Sequence, residues 1–230
     1  MAEACAYPVP ESARCVLIFG GTFDPPHRAH IDLPIAARDA IGADWLLYVP
    51  AGRSPLKREN PIASDDDRVA MLRGVLRALE RASVSTIELE TGSAGESDLR
   101  PPSYTVDTLA RLHEFAPPAT RFRLLIGADQ AVEFHRWREA DRIVELAEPA
   151  VMLRPPLDSD AAFRDSLRAH RPEPQVERWA RRVVALPVSP TSATDVRELL
   201  RRGNLDDPRV CEVIPEPVLD VIRSRRLYRQ

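Results

Sequence analysis

Short apolar runs alternate with amphipathic stretches along the chain, and this alternation constrains the fold more than any other feature. Several runs are continuously apolar, which is typical of parallel strands covered by helices on both faces. We therefore predict an α/β protein with a parallel sheet. The predicted strands are Cys15–Phe19, Trp45–Val49, Ser85–Leu89, Phe122–Ile126, Ala150–Leu153 and Val183–Leu186.

Helical periodicity fills the stretches between these runs. Ser64 and Asp67 have the spacing of a capping box with Asp in place of Glu, and apolar residues follow at helical spacing. Gly203 lies where a preceding helix would end. Besides one helix after His30 and one beginning near Ser64, the predicted helices are Val106–Phe115, Trp137–Leu146, Thr194–Arg202 and Val218–Arg223.

Length and charge limit the organisation and the partners. A chain of 230 residues with 44% hydrophobic residues can form one domain with a sizeable core. We divide it into an N-terminal extension (1–13), a main domain, an insertion (155–182) and a C-terminal helical tail (204–230). The net charge of −3 argues against bulk binding of nucleic acid or of an anionic membrane.

The N-terminus and the cysteines indicate a cytoplasmic protein. The first residues lack the basic start and long apolar stretch of a signal peptide, and no 18 apolar residues run together. Cys5, Cys15 and Cys211 are far apart and form no CxxC pair, which favours reduced thiols. The sequence does not specify an oligomeric state, and a homo-oligomer is compatible with it.

The stretch Gly20–His30, which reads GGTFDPPHRAH, follows the first predicted strand and opens a helix. Its two glycines allow close approach of a ligand and positive φ angles. The helix N-terminus that follows can face an anion. His27 and His30 are three residues apart and share a helix face, although the same pair could be exposed residues or metal ligands. No third ligand with metal-site spacing follows them, so we predict no metal site.

A second candidate phosphate site comes near the other end of the chain. Thr191–Arg197 reads TSATDVR, follows the last predicted strand and opens a helix. Hydroxyl groups at Ser192 and Thr194 can cap the helix or donate to phosphate oxygens. The guanidinium of Arg197 can grip a phosphate with two N–H groups, although a capped helix with a surface arginine is the simpler alternative.

Together the two stretches resemble the nucleotidyltransferase signatures GGTFDPxHxGH and ISxTxxR, which contact the phosphates of ATP. Ala29 stands where the signature has glycine, and Thr191 where it has isoleucine. The resemblance implies a Rossmann-like, doubly wound parallel sheet with helices on both faces. It also implies catalytic roles for His27, His30 and Arg197, and ATP-binding roles for Gly20, Gly21, Thr22, Phe23, Asp24, Ser192 and Thr194.

Intermediate motifs are similar to those of the bacterial nicotinate mononucleotide adenylyltransferases. Lys57, the single lysine of the chain, ends a loop that resembles the PPHK loop of this family, with Leu56 in place of histidine. The resemblance gives Lys57 a catalytic role. PSYT at 102–105, IGAD at 126–129 and Trp137 match the other family elements. They imply ATP-binding roles for Gly127 and Asp129, and acceptor-binding roles for Tyr104, Thr105 and Trp137.

The resemblance predicts transfer of AMP from ATP to nicotinic acid mononucleotide, with Mg²⁺ accompanying ATP, in NAD biosynthesis. The phosphate-binding motifs come without an evident nucleophile beside a base, so direct in-line attack is the expected mechanism. Two alternatives stay open. Pantetheine-phosphate adenylyltransferases share both phosphate elements, and a nucleotide-sensing module could bind ATP without turnover.

Overall fold

A five-stranded parallel sheet forms the centre of the molecule, with the strand order β3-β2-β1-β4-β5. The computed structural model describes residues 7–53, 60–89, 101–187, 193–201 and 205–228. For residues 193 and 194 it describes the backbone alone. The four strand pairings are parallel. The chain first adds strands on one side of β1 and then on the other, which confirms the predicted doubly wound α/β fold. The strands are β1 (Cys15–Gly21), β2 (Trp45–Pro50), β3 (Ala82–Val84), β4 (Arg121–Gly127) and β5 (Ala147–Met152).

Ten α-helices lie in the described part of the chain, together with a 3₁₀ turn at Glu133–Arg136. Among these residues, no helix has both the length and the apolar character that a membrane crossing requires. The helices are α1 (Arg28–Ile41), α2 (Asp65–Leu76), α3 (Thr105–Phe115), α4 (Ala128–Val132), α5 (Ala140–Leu146), α6 (Asp160–Arg168), α7 (Glu173–Ala180), α8 (Ala193–Arg201), α9 (Pro208–Val213) and α10 (Glu216–Arg225).

Alternation along the strands divides the core between the two faces of the sheet. Leu17 and Phe19 of β1 pack with α1, α2, α8, α9 and α10 on one face. Val16 and Ile18 pack with α3 to α7 on the other face. Because successive side chains of a strand point to opposite faces, a continuously apolar strand supplies both cores.

The capping box predicted at the start of α2 is present. The hydroxyl of Ser64 accepts a hydrogen bond from the backbone N–H of Asp67 at 3.2 Å, and the Asp67 carboxylate accepts one from the N–H of Ser64 at 3.3 Å. These bonds satisfy two of the N–H groups that a helix start leaves open.

The strand predicted at Ser85–Leu89 is wrong, because β3 ends at Val84. The hydroxyl of Ser85 accepts a hydrogen bond from the N–H of Ile87 at 3.3 Å, and the N–H of Leu89 donates to the carbonyl of Thr86. Such local bonds compete with strand pairing and turn the chain. Ile87 is nevertheless fully buried, so the segment was correctly predicted to reach the core, although its backbone is not a strand.

The strand predicted at Val183–Leu186 is also wrong in extent. Only Val183 pairs with the sheet, through a single parallel bridge to Val151. The N–H of Val151 donates to the carbonyl of Arg182, and the N–H of Val184 donates to the carbonyl of Val151. Pro187 follows immediately and has no N–H to continue a ladder.

Trp137 lies outside the helix predicted at Trp137–Leu146. The helix α5 begins at Ala140, after Glu139 adopts a left-handed conformation with φ 51°. Trp137 itself follows the 3₁₀ turn and is extended, with φ −72° and ψ 143°. This backbone break separates the aromatic ring from the helix and leaves it on the connecting segment.

Residues 155–182, which we expected to be an insertion, contain α6 and α7. Phe163, Leu167 and Val176 are fully buried and belong to the same core as β4. The buried guanidinium of Arg171 donates to the carbonyls of Ala131 and Val132, at 3.1 and 2.9 Å. It thereby satisfies open carbonyl groups at the end of α4.

Candidate active site

A cleft opens at the carboxyl ends of β1 and β4, where open α/β sheets bind ligands. Gly20, Gly21 and Thr22 at the end of β1 form one part of its lining, which we call the phosphate end. Tyr104 and Thr105 at the start of α3, with Trp137, form another part, which we call the acceptor end. The structure thus brings six of the predicted binding residues to one cleft.

At the phosphate end, Phe23 supplies the positive φ that we expected from the glycines. Gly20 and Gly21 are the last residues of β1, whereas Phe23 has φ 51° and is buried. A Cβ on Gly21 would lie only 2.9 Å from the Phe23 ring. Glycine is therefore needed at 21 because the aromatic ring packs directly against the backbone.

The two histidines stack at the start of α1. Their ring centroids are 3.7 Å apart, and the ring of His30 also meets the Phe23 ring edge-on, with centroids 5.4 Å apart. His27 is the N-cap residue of α1. The imidazoles adjoin the phosphate end through Phe23, which follows the cleft residue Thr22, although their side chains lie outside the lining of the cleft itself.

Burial controls the charge of His27. Its side chain is 3% exposed, and its Nδ1 has no hydrogen-bond partner in the described part of the chain. Loss of hydration lowers the pKa of His27 to about 4, because the charged imidazole is disfavoured. Burial therefore keeps His27 neutral at pH 7, with one ring nitrogen able to donate.

Asp24 joins the phosphate end to the C-terminal part of the chain. Its carboxylate accepts hydrogen bonds from the backbone of Ile62 at 2.8 Å and Ala63 at 3.0 Å, and from the Tyr228 hydroxyl at 2.5 Å. Its carbonyl accepts one from the guanidinium of Arg197 at 3.2 Å. The carboxylate of Asp24 thus holds protein groups, and the two phosphate elements meet as predicted.

Arg68 supports the same corner from α2. Its guanidinium is fully buried, donates to the carbonyl of Thr22 at 2.8 Å and pairs with Asp65 at 2.5 Å. Because a buried cation is costly without partners, this arrangement fixes the backbone of Thr22 beside the cleft.

At the acceptor end, the first turn of α3 faces the cleft. Tyr104 is the N-cap residue and, within the described chain, makes no capping bond through its side chain. The free N–H groups of a helix start and the helix dipole favour an anion there. The guanidinium of Arg138 lies 4.8 Å from the centroid of the Tyr104 ring and 3.3 Å from the Asp107 carboxylate.

Trp137 lines the cleft on the segment that ends the 3₁₀ turn. Its ring stacks on Phe134 at 5.0 Å between centroids with an interplanar angle of 29°. Phe134 in turn packs on Trp179 of α7, so the core orients the indole. An aromatic face held in this way can stack on a planar ligand ring.

Asp129 is at the start of α4, directly after β4. Its carboxylate pairs with both nitrogens of the Arg154 fork, at 2.8 Å and 2.6 Å, and both side chains are half exposed. Gln130 lines the cleft and accepts a hydrogen bond from the N–H of Gly127 at 3.0 Å. Gly127 and Asp129 themselves lie outside the lining of the cleft, and Gly127 supports this wall only through Gln130.

Several functional positions were missed or cannot be placed. Lys57 and Ser192 lie outside the described residues, as does the side chain of Thr194, whose backbone belongs to α8. Sequence reasoning missed Glu88, whose carboxylate lines the cleft. The only signal was an acidic residue between the apolar residues Ile87 and Leu89 of a predicted strand.

Comparison with known proteins agrees with this geometry. The cytidylyltransferase-like family matches residues 18–199. A probable nicotinate-nucleotide adenylyltransferase of Rhodopirellula baltica is 31% identical over 96% of both chains. A counterpart in Chromobacterium violaceum is 33% identical over 92% of this chain and 97% of its own. The chain belongs to the nicotinate-nucleotide adenylyltransferase family.

Structures of the nicotinate-nucleotide adenylyltransferase family have the same fold. Nicotinic acid mononucleotide adenylyltransferase of Plasmodium falciparum, solved with APC, has a TM-score of 0.66 at 16% identity and covers 93% of this chain and 96% of its own. The same enzyme solved with NaAD matches equally well. Family membership makes the chain a nucleotidyltransferase that transfers AMP in NAD biosynthesis.

Proposed function

We propose that the chain joins the AMP part of ATP to nicotinic acid mononucleotide by direct in-line attack. An oxygen of the acceptor's 5′-phosphate bonds to the α-phosphorus of ATP, and the bond to the bridging oxygen of the β-phosphate breaks. The products are deamido-NAD and pyrophosphate. One observation carries the proposal. Arg197 and Asp24, 173 residues apart in sequence, meet beside the phosphate end of the cleft.

Positioning and charge stabilisation supply the catalysis in this proposal. The imidazoles of His27 and His30 donate to the α- and β-phosphates, and Arg197 and Lys57 hold the leaving pyrophosphate. A neutral His27 can donate one N–H, and a bound triphosphate would raise its pKa and favour the charged form. The attacking phosphate is already anionic, so a general base adds little.

The acceptor end supports a choice of the acid form of the nicotinate ring. The backbone N–H groups at Tyr104 and Thr105 start α3, where a carboxylate is favoured. Trp137 provides an oriented aromatic face in the same cleft for the pyridine ring. We infer that the carboxylate of the acceptor binds the helix start while its ring stacks on the indole.

Mg²⁺ enters this proposal as part of the ATP substrate. The described residues contain no group of three or more side chains that could hold a metal ion, and the Asp24 carboxylate bonds to protein groups. Mg²⁺ commonly relies on substrate phosphates for several of its ligands. We assign no step to it.

Pyrophosphate release tests the function. Purified protein is incubated with MgATP and, separately, nicotinic acid mononucleotide, nicotinamide mononucleotide and phosphopantetheine. We expect turnover with the first, little with the second and none with the third. If phosphopantetheine is the only acceptor that gives turnover, the activity is that of a pantetheine-phosphate adenylyltransferase. If the protein binds ATP but releases no pyrophosphate with any of the three acceptors, the result would favour the sensing module.

A further inference from the structure

Glu88 is a partly buried carboxylate at the acceptor end for which the reaction as proposed has no use. It lines the cleft together with Ser103, Tyr104 and Thr108. Its two oxygens accept hydrogen bonds from the backbone N–H of Gly52 at 3.2 Å and from the hydroxyl of Thr108 at 2.8 Å. The hydroxyl of Ser103 bonds to the same carboxylate. One side chain therefore connects the loop after β2, the turn before α3 and α3 itself.

The three segments fit closely around Glu88. A Cβ on Gly52 would lie 2.6 Å from both the carbonyl oxygen of Glu88 and the hydroxyl of Ser103. The N–H of Ser103 donates to the carbonyl of Arg53 at 2.8 Å, which ties the loop to the turn a second time. A shift of the Glu88 carboxylate would therefore move the first turn of α3.

The environment explains why the group at 88 must be an acceptor. Burial raises the pKa of Glu88, while hydrogen bonds from Thr108, Gly52 and Ser103 and the charge of Arg68 oppose this rise. Among the groups bonded to it, the N–H of Gly52 can act only as a donor, so an acceptor oxygen must face it. Without an oxygen at this place, that partly buried N–H would lose its partner.

We propose that Glu88 is a positioning residue that sets the place of the α3 helix start and thereby the affinity for the acceptor. The inference rests on the proposed function, because it takes the α3 helix start as the site of the acceptor's carboxylate. Glu88 acts through Gly52, Ser103 and Thr108 and takes no part in bond making. Its removal should therefore weaken acceptor binding and leave ATP binding unchanged.

Steady-state kinetics of Glu88→Ala and Glu88→Gln test the proposal, with KM measured for each substrate. Loss of bonds to a charged group should raise the KM for nicotinic acid mononucleotide about 10–100-fold in the Ala variant. We expect KM for ATP to stay within about twofold of wild type. Glutamine keeps an oxygen for Gly52, and its NH₂ can donate to the hydroxyls, so Glu88→Gln should restore most of the affinity.

Two further variants keep the test decisive. Glu114→Ala removes an exposed carboxylate from α3 and should leave both KM values unchanged. Thr108→Val removes one partner of Glu88 without disturbing Gly52, and decides the matter if Glu88→Ala does not fold. We expect it to raise the acceptor KM about 10-fold, the loss of one such bond.

The proposal is overturned if the Ala and Thr108→Val variants leave the acceptor KM unchanged, or raise both KM values equally. It is also overturned if Glu88→Gln loses as much acceptor affinity as the Ala variant, since charge would then matter and position would not. Failure of the proposed function looks different, because wild-type protein would then show no turnover with nicotinic acid mononucleotide.

Discussion

The two ends of the cleft are built in different ways. At the phosphate end, Phe23, Asp24 and His27 are buried, and backbone donors hold the Asp24 carboxylate. At the acceptor end, Arg138 is half exposed and touches Tyr104 and Asp107 across the cleft wall. Exposed ion pairs contribute little stability, whereas buried polar bonds are costly to break. Binding of the common phosphates therefore has a rigid base. At the acceptor end only the exposed rim around Arg138 is adjustable, because the bonds to Glu88 hold the start of α3.

Replacing His30 should have the largest effect, because it removes a donor from the rigid end. We expect His30→Ala to lower kcat about 10²–10³-fold, or about 2.7–4 kcal/mol, on the scale of one lost transition-state donor. The measurement is kcat from pyrophosphate release, with circular dichroism to verify folding. Arg28→Ala, an exposed change in the same helix, serves as the matched control and should keep wild-type kcat. A folded His30→Ala variant with unchanged kcat would remove His30 from the mechanism.

Lowering the pH should reduce the stability of the fold, because His27 is buried in its neutral form. Its pKa is lowered from 6.5 to about 4, so between these values the unfolded chain binds more protons than the folded one. Stability attributable to this residue is therefore present above pH 6.5 and is lost as the pH falls towards 4. The loss amounts to about 3 kcal/mol.

Urea denaturation between pH 7 and pH 4 measures this loss in wild type and in His27→Gln. The variant should lack that part of the pH dependence, because its side chain does not titrate. His170→Gln, at an exposed histidine, should retain the wild-type slope. Equal slopes in wild type and His27→Gln would contradict the assigned burial effect.

Asp24→Asn should destabilise the phosphate end. Whichever way the new amide turns, its NH₂ group faces a donor, either the N–H of Ile62 or the N–H of Ala63. We expect a loss of about 1.5–3 kcal/mol in the free energy of unfolding, the scale of hydrogen bonds to charged groups. Guanidinium denaturation provides the measurement, and exposed Asp158→Asn provides the control. A variant as stable as wild type would show that the phosphate end is no more rigid than the acceptor end.

Features that depend on local motifs could be predicted from the sequence, and features that depend on distant contacts could not. The order of β1, the histidine pair and the Arg197 helix follows from local motifs, and the structure brings them together. Strand periodicity placed most of the sheet because each strand supplies both cores. These features depend on residues that are near one another in sequence or repeat regularly.

The failures have a different physical origin. The hydroxyl of Ser85 accepts a hydrogen bond from the N–H of Ile87 and turns the chain after β3, which periodicity does not register. Glu88 gains its role from Gly52 and Thr108, residues 36 and 20 positions away. Tyr228 reaches Asp24 across 204 positions. Such contacts arise only once the chain has folded, so no local pattern announces them.

The smallest effect is expected at Arg154, whose pair with Asp129 lies on the surface at the start of α4. Both side chains are half exposed, so solvent screens the pair, and Arg154→Ala should cost only about 0.2–1 kcal/mol of stability. Urea denaturation beside Arg142→Ala, an exposed arginine on α5, measures the difference. A cost as large as that of Asp24→Asn would mean that the cleft is equally rigid throughout. A cost within the expected range would show that Arg154 holds Asp129 only weakly, so the carboxylate can exchange this partner for another donor.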